Sequence, residues 1–201
     1  MIRVLLADDE HLIRAALAQM LDLEEDIEVV GQAATGSEAV DSARELRPDV
    51  AVLDLQMPGL DGIAAAARIA EVLPGCGCLI VTSHGRPGLL RRALSTGVRG
   101  FLPKTTSAST LAAAVRAVAA GGRYVDPDLA AEAMAIGDSP LTPRETAVLE
   151  AAADGAPVEE IARRTHLAGG TVRNYLSSAA AKLSAANRHE AVNRAQRMGW
   201  I

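Results

Sequence analysis

Aromatic side chains are scarce: the 201 residues include one Trp, two Tyr and one Phe. We therefore do not expect a protein that binds single strands by stacking bases on aromatic side chains. Cys76 and Cys78 are separated by one glycine, which fits no zinc-binding spacing, so we expect reduced, buried thiols. No apolar run approaches the roughly 18–20 residues of a membrane span, and the strand-like start leaves no room for a signal peptide. We expect a cytoplasmic protein without a membrane partner.

Charge is distributed unevenly along the chain, whose net charge is −5. Residues 1–121 carry 11 basic and 15 acidic side chains, whereas residues 139–201 carry 8 basic and 6 acidic ones. The segment 122–138 between them is interrupted by proline and glycine. We predict a domain over 1–121, a linker over 122–138 with a short helix, and a second domain over 139–201. An acidic front and a basic tail indicate two tasks in one chain.

The first 121 residues alternate short apolar runs, rich in β-branched side chains, with helical patterns. The predicted strands are Val4–Ala7, Ile27–Gly31, Val50–Leu55, Leu79–Thr82 and Phe101–Leu102. This alternation predicts a flavodoxin-like α/β domain, a five-stranded parallel sheet covered by helices on both faces. With the strand order 2-1-3-4-5, a crevice lies beyond the carboxyl ends of the first and third strands.

Acidic residues follow or end the two strands that border this crevice. Asp8 and Asp9 follow the first strand, and Asp54 lies at the end of the third. Carboxylates that converge repel one another unless a cation neutralises them, and an all-oxygen cluster suits Mg²⁺, which commonly bridges to phosphate. A flavodoxin-like cofactor would instead require a phosphate loop rich in Gly or Ser.

Thr82 and Lys104 are expected at the same edge of the sheet, because they stand at the ends of the fourth and fifth strands. An ammonium group can neutralise a transferred phosphoryl group, and a hydroxyl can donate a hydrogen bond to it. Asp54 would then be a nucleophile that forms an aspartyl phosphate. The alternative is that Asp8 and Asp9 only cap the first helix while Lys104 is solvated.

The segments Leu6–Glu10, Val52–Gly62 and Gly100–Lys104, together with Thr82, resemble the receiver domain of two-component response regulators. The resemblance covers residues 1–121 and implies that Asp54 is the phosphoacceptor. It also implies a Mg²⁺ site formed by Asp9, Asp54 and the Gln56 carbonyl, with Asp8 holding a metal-bound water. Thr82 and Phe101 would be the switch residues. Phe101 lacks the hydroxyl of the tyrosine often found there, so switching would depend on packing. We further predict that Gln56 and His84 set the lifetime of the phosphoryl group.

Residues 139–201 show helical patterns throughout. Thr142-Pro143-Arg144-Glu145 has the form of a capping box with proline at the first helical position. A helix over about 171–184 places Val172, Leu176, Ala179 and Leu183 on one face and the polar residues on the other. This pattern is typical of a helix-turn-helix unit, and it also fits other small helical bundles.

The segments Leu141–Glu145, Glu160–Ala162, Thr171–Tyr175 and Asn187–Arg188 resemble the LuxR-type helix-turn-helix domain of the NarL/FixJ family. Thr171–Ser177 with Gly199-Trp200 is similar to the subgroup that contains the membrane-fluidity regulator of fatty-acid desaturation. The resemblance implies a recognition helix that begins at Thr171 and lies in the major groove. Its residues nearest base edges would be Arg173, Asn174 and Ser177, and its phosphate contacts Tyr175, Lys182 and Arg188. Ala191, Val192 and Ala195 of the last helix would form a dimer contact.

Together the two resemblances imply a DNA-binding response regulator and not an enzyme. A cognate sensor histidine kinase would phosphorylate Asp54, and a homodimer would bind double-stranded DNA and regulate transcription. One alternative is a phosphohydrolase, which typically needs a second acid where Gln56 stands. The other is a phosphorylation-independent DNA-binding regulator whose receiver domain is only a dimerisation scaffold.

Overall fold

The computed structural model describes residues 1–83, 87–135 and 139–201. Its contacts divide the chain into two compact units, one built mainly on Met1–Gly85 and Leu90–Ala130 and the other mainly on Ala131–Ile201. His84, to which the sequence assigned a role in phosphoryl lifetime, lies outside the described residues. No helix among the described residues is both long and apolar enough to cross a membrane.

One parallel sheet forms the centre of the first unit. Within the described residues its strands are β1 (Ile2–Ala7), β2 (Ile27–Ala33), β3 (Val50–Asp54), β4 (Gly77–Thr82), β5 (Gly100–Pro103) and β6 (Tyr124–Val125), in the order β2-β1-β3-β4-β5-β6. The predicted α/β class and the order of the first five strands are confirmed. The structure adds β6, which pairs with β5 and lies in the segment predicted as a linker. A two-residue strand is too short to produce a periodic pattern.

Helices cover both faces of this sheet, which explains why its inner strands are apolar throughout. They are α1 (His11–Asp22), α2 (Gly36–Leu46), α3 (Gly62–Val72), α4 (Pro87–Ser95) and α5 (Ala108–Ala119). Alternate residues of β1, β3 and β4 pack against α1 and α5 in one buried cluster, as expected from the two-residue period of a strand. Thr35, Asp61 and Ser107 cap α2, α3 and α5 through their side-chain oxygens.

The second unit is helical. It contains α7 (Pro143–Ala151), α8 (Val158–Thr165), α9 (Gly169–Lys182) and α10 (Arg188–Met198), and α6 (Pro127–Ala135) precedes it in the chain. The predicted capping box is present, since Thr142 and Glu145 exchange hydrogen bonds at the start of α7. The predicted apolar face of α9, formed by Val172, Leu176, Ala179 and Leu183, is buried in the core of this unit.

Candidate functional site

The carboxyl ends of the strands bring the predicted charged residues of the first unit together. Asp8 follows β1, Asp54 ends β3, and Lys104 follows β5. The Lys104 ammonium lies 2.7 Å from Asp8 Oδ2, 3.4 Å from Asp54 Oδ2 and 3.2 Å from Glu10 Oε1. The Lys104 side chain is only 8% exposed. The cation is therefore inserted among carboxylates rather than solvated.

Negative charge exceeds positive charge in this cluster. One carboxylate oxygen each from Asp8, Asp9 and Asp54 lies within 4.8 Å of the others, with Asp8 and Asp54 buried and Asp9 exposed. Glu10 adds a fourth carboxylate beside the one lysine. Three hard oxygen donors at this separation are the ligands that Mg²⁺ prefers, so the residues present fit such an ion.

Asp54 is a buried carboxylate that borders a cavity. Its side chain is 6% exposed and lines a cavity of about 190 Å³ together with Asp9, Glu10, Gln56, Ser83 and Lys104. The backbone N–H of Leu55 donates to Asp54 Oδ1 at 2.8 Å, which fixes the orientation of the carboxyl group. A small anionic group entering the cavity could therefore approach an oriented carboxylate oxygen.

The surroundings shift the pKa values of Asp54 and Lys104. Burial raises the pKa of Asp54, the Lys104 charge lowers it, and the Asp8 charge raises it, with a net shift above its ordinary value. Burial alone would lower the pKa of Lys104, but hydrogen bonds and charges from Asp8, Asp54 and Glu10 raise it above its ordinary value. Lys104 therefore remains an ammonium cation at neutral pH.

A glycine at the start of α3 allows a close backbone approach beside the site. A Cβ atom on Gly62 would lie 2.1 Å from the Asp54 carbonyl oxygen, closer than any side chain can tolerate. The Gly62 N–H donates to the Leu55 carbonyl oxygen. Any larger residue at this position would displace the strand end that carries Asp54.

Thr82 and Phe101, the predicted switch residues, are both buried. Thr82 is 1% exposed at the end of β4, and Phe101 is fully buried in β5. Sequence reasoning did not single out Ser83, which lines the cavity, or Glu10 as a partner of Lys104. Ser83 directly follows β4 and Glu10 lies three residues after the end of β1, so closeness to a strand end was the available signal.

In the helical unit, α9 presents a polar face. Arg173, Asn174 and Ser177, the predicted base-reading residues, are exposed, while Thr171 and Tyr175 are half-buried. Tyr175 packs against the core of the unit. The Arg173 guanidinium lies 3.9 Å from Glu159 in a largely exposed pair, which contributes little and leaves Arg173 available to another partner.

Lys182 and Arg188, which the resemblance assigned to phosphates, have partners inside the helical unit. The Lys182 ammonium lies 2.7 Å from Glu145 Oε2, and Arg188 donates to the carbonyl oxygens of Gly155 and Ala156. The assignment of the dimer contact to three apolar residues of α10 is wrong. Those residues are buried within their own unit and belong to its core: Ala191, Val192 and Ala195.

Comparison with known proteins identifies two families along the chain. Residues 4–116 match the response regulator receiver domain, and residues 139–195 match the bacterial regulatory proteins of the luxR family. The transcriptional regulatory protein DesR of Bacillus subtilis is 41% identical over 201 residues, covering all of both chains. The transcriptional regulatory protein UhpA of Salmonella typhimurium is 36% identical over 96% of this chain and 97% of its own.

Solved structures of response regulators are similar to this chain. A LuxR-family two-component response regulator from Aurantimonas sp. is 31% identical, with a TM-score of 0.64 over 67% of this chain and 96% of its own. The response regulator RcsB in complex with DNA is 26% identical, with a TM-score of 0.70 over 98% of each chain. The second of these structures covers nearly the whole chain and therefore supports the fold of each unit.

Proposed function

This chain belongs to the DNA-binding response regulators with a LuxR-type domain, and from this premise we propose that phosphorylation of Asp54 controls its binding to DNA. One observation supports this most directly. Asp54 Oδ1 accepts the Leu55 N–H, while Oδ2 lies 3.4 Å from the Lys104 ammonium beside an open cavity. A carboxylate that is oriented, close to a cation and accessible meets the requirements of a phosphoacceptor.

The donor we propose is the phosphohistidine of a sensor histidine kinase. An Asp54 oxygen attacks the phosphorus atom, the phosphorus–nitrogen bond breaks, and its electron pair leaves with the imidazole, which takes up a proton. Lys104 stays protonated through this step and neutralises charge on the transferred group. We assign to the Thr82 hydroxyl, at the end of the neighbouring strand, a hydrogen bond donated to a phosphoryl oxygen.

We assign Asp8, Asp9 and Asp54 as the residues that would hold Mg²⁺, together with the backbone carbonyl of Gln56. When bound, the ion supplies positive charge that offsets the carboxylates and an incoming phosphoryl group. The all-oxygen donor set and its 4.8 Å spread support this assignment.

A docking surface for the kinase is proposed on α1, which begins directly after the acidic cluster. Leu12 and Leu23 are 81% and 84% exposed and Met20 is 44% exposed. Leu12 and Met20 are eight residues apart, which places them about 80° from each other around the helix and on the same side of α1. Leu12→Asp is expected to slow phosphoryl transfer from the kinase at least about tenfold, the cost of losing one well-buried apolar contact. Labelling by a small phosphodonor should stay unchanged, and slowing of both reactions would contradict the docking role.

On the DNA side, we propose that α9 lies in the major groove and that Arg173, Asn174 and Ser177 contact base edges. A homodimer on paired half-sites would bring two such helices to the same face of the duplex. The exposure of these three side chains supports the proposal.

Labelling with a small phosphodonor and Mg²⁺ tests the role of Asp54. The wild-type chain is expected to take up one phosphoryl group per molecule and to bind DNA more tightly, and Asp54→Asn to lose both responses. Mass spectrometry measures the labelling and fluorescence anisotropy the binding. Many turnovers without stable labelling would favour the phosphohydrolase, and labelling that leaves DNA binding unchanged would favour the scaffold.

A further inference from the structure

A buried carboxylate connects two helices of the helical unit. Glu145 lies in the first turn of α7 and is 4% exposed. The Thr142 N–H donates to Glu145 Oε2 at 2.7 Å, and the Ser178 hydroxyl donates to Oε1 at 2.6 Å. The Lys182 ammonium donates to Oε2 at 2.7 Å. One side chain therefore joins the N-terminal cap of α7 to two successive turns of α9.

Apolar packing keeps one face of this part of α9 turned toward the core, and the tether to Glu145 adds a directional contact to it. Leu176 and Leu183 are buried in the core, and the helix between them carries mostly serine and alanine, of which Ala179 is fully buried and Ala180 half-buried. Small side chains form shallow ridges and grooves, and apolar contact has no preferred direction. The buried leucines therefore fix which face of α9 points inward, whereas the small residues between them leave room for small shifts and rotations of the helix. Hydrogen bonds to a fixed carboxylate are directional and remove this freedom.

The tethered residues border the face that we assign to base recognition. Successive residues of a helix are about 100° apart, so Ser178 and Lys182 lie beside the face that carries Arg173, Asn174 and Ser177. Any rotation of α9 moves both sets together.

We propose that Glu145 is a positioning residue that sets the rotation and the axial position of α9 and thereby determines DNA specificity. This proposal rests on the proposed role of α9 as the recognition helix. Glu145 does not contact DNA and acts only through the helix that it holds.

The same contact gives Lys182 a different role from the one that the resemblance implies. Its ammonium group is balanced by a buried carboxylate through a charge-assisted hydrogen bond. A charge balanced within the protein displaces fewer counterions from DNA than a free one. Lys182 is accordingly part of the tether and not a phosphate contact.

The test uses the full-length chain and two DNA duplexes of equal length and composition. One duplex is enriched from a randomised pool by the wild-type protein, and the other is its shuffled sequence. Affinity for both is measured as a function of salt for Glu145→Gln, Lys182→Met and the double variant. Glu150→Gln is the matched control, because Glu150 is exposed on α7 and undergoes the same change of charge. Arg173→Ala shows the loss expected from one base contact.

Glu145→Gln and Lys182→Met are each expected to weaken binding to the enriched duplex about tenfold, comparable to one mismatched base pair. Binding to the shuffled duplex and the salt slope should stay unchanged, and the double variant should be no worse than either single one. Glu150→Gln should behave as wild type. The chain's single tryptophan, Trp200, packs against the core of the helical unit, so its fluorescence verifies folding. If Glu145→Gln does not fold, the same measurements on Lys182→Met test the proposal.

Three results would overturn the proposal. Equal losses on both duplexes with altered Trp200 fluorescence would mean that Glu145 only stabilises the fold. A salt slope that falls by about one in Lys182→Met would make Lys182 a phosphate contact. A pool that yields no enriched duplex would remove the assignment of α9 as a recognition helix, and the positioning role with it.

Discussion

Two buried carboxylates, one in each unit, have opposite electrostatic surroundings. Asp54 shares one lysine with Asp8 and Glu10, and its pKa is raised by burial and by the Asp8 charge. Burial also acts against ionisation of Glu145, but hydrogen bonds from Lys182, Ser178 and Thr142 lower its pKa to about 2. The first carboxylate shares one lysine with other carboxylates, whereas both oxygens of the second accept hydrogen bonds.

This difference distinguishes a site that binds a cation or a reaction partner from a contact that holds helices together. A carboxylate cluster with excess negative charge costs stability until a cation or a reaction partner arrives, which is typical of functional sites. A buried carboxylate with every oxygen hydrogen-bonded keeps its charge and stabilises one arrangement of helices. The raised pKa at Asp54 and the lowered pKa at Glu145 report these two cases.

Removal of Lys104, the cation that the described residues bring to the acidic cluster, should have the largest effect. Lys104→Met leaves Asp8 and Asp54 without their shared partner, and the labelling rate with a small phosphodonor is expected to fall on the order of a hundredfold. Time-resolved mass spectrometry measures the rate. Lys182→Met removes a lysine from the other unit and should label at the wild-type rate. An undiminished rate in Lys104→Met would show that the lysine has no part in the transfer.

Acid should weaken the helical unit through Glu145. Because its pKa in the folded chain is about 2 against an ordinary value of 4.5, the ionised form stabilises the native state. This contribution is complete above about pH 4.5 and is lost as the pH falls toward about 2. Urea unfolding followed by Trp200 fluorescence should show wild type about 1–3 kcal/mol more stable than Glu145→Gln at neutral pH. This difference in the free energy of unfolding should disappear in acid. A difference that does not depend on pH would contradict a stabilising ion pair between Glu145 and Lys182.

The smallest effect is expected from neutralising Asp54, and it has the opposite sign. A carboxyl group whose folded pKa is raised destabilises the native state above its ordinary pKa, and this cost disappears as the pH falls. Asp54→Asn should therefore stabilise the first unit by about 0.5–2 kcal/mol at neutral pH. Amide hydrogen exchange in β1 and β3 measures the change. Mg²⁺ should reduce the difference in stability between Asp54→Asn and wild type, because it stabilises the wild-type site more. An Asp54→Asn variant less stable than wild type would contradict our inference that the cluster carries excess negative charge.

Most of the first unit could be predicted from its sequence. Apolar runs alternating with helical patterns predicted the sheet and the order of five strands, and parallel strands place their carboxyl ends at one edge. Asp8, Asp54 and Lys104 therefore had to meet once the order was known. The strand Tyr124–Val125 could not be predicted, because two residues carry no periodicity and pair only where a neighbouring edge is free.

The helical unit was predictable in outline and less so in its contacts. A helical wheel separates apolar from polar residues, and it correctly placed Val172 and Leu176 inside and Arg173 outside. It does not identify the partner of a polar residue, so the Glu145 contact to Lys182 was not foreseen. For the same reason Val192 was assigned to a dimer contact, because an apolar stripe looks the same whether it packs on its own core or on another chain.

The amino-acid sequence by itself determined which residues are apolar, roughly where most strands and helices lie, and which charged groups stand at strand ends. These properties depend on local periodicity, caps and strand order. Only the tertiary structure decided how charges are balanced, because that depends on distances between side chains far apart in the chain, such as Lys104 to Asp8 and Lys182 to Glu145. Coulomb energy and hydrogen bonding change over a few ångströms, and only the folded chain specifies separations on that scale.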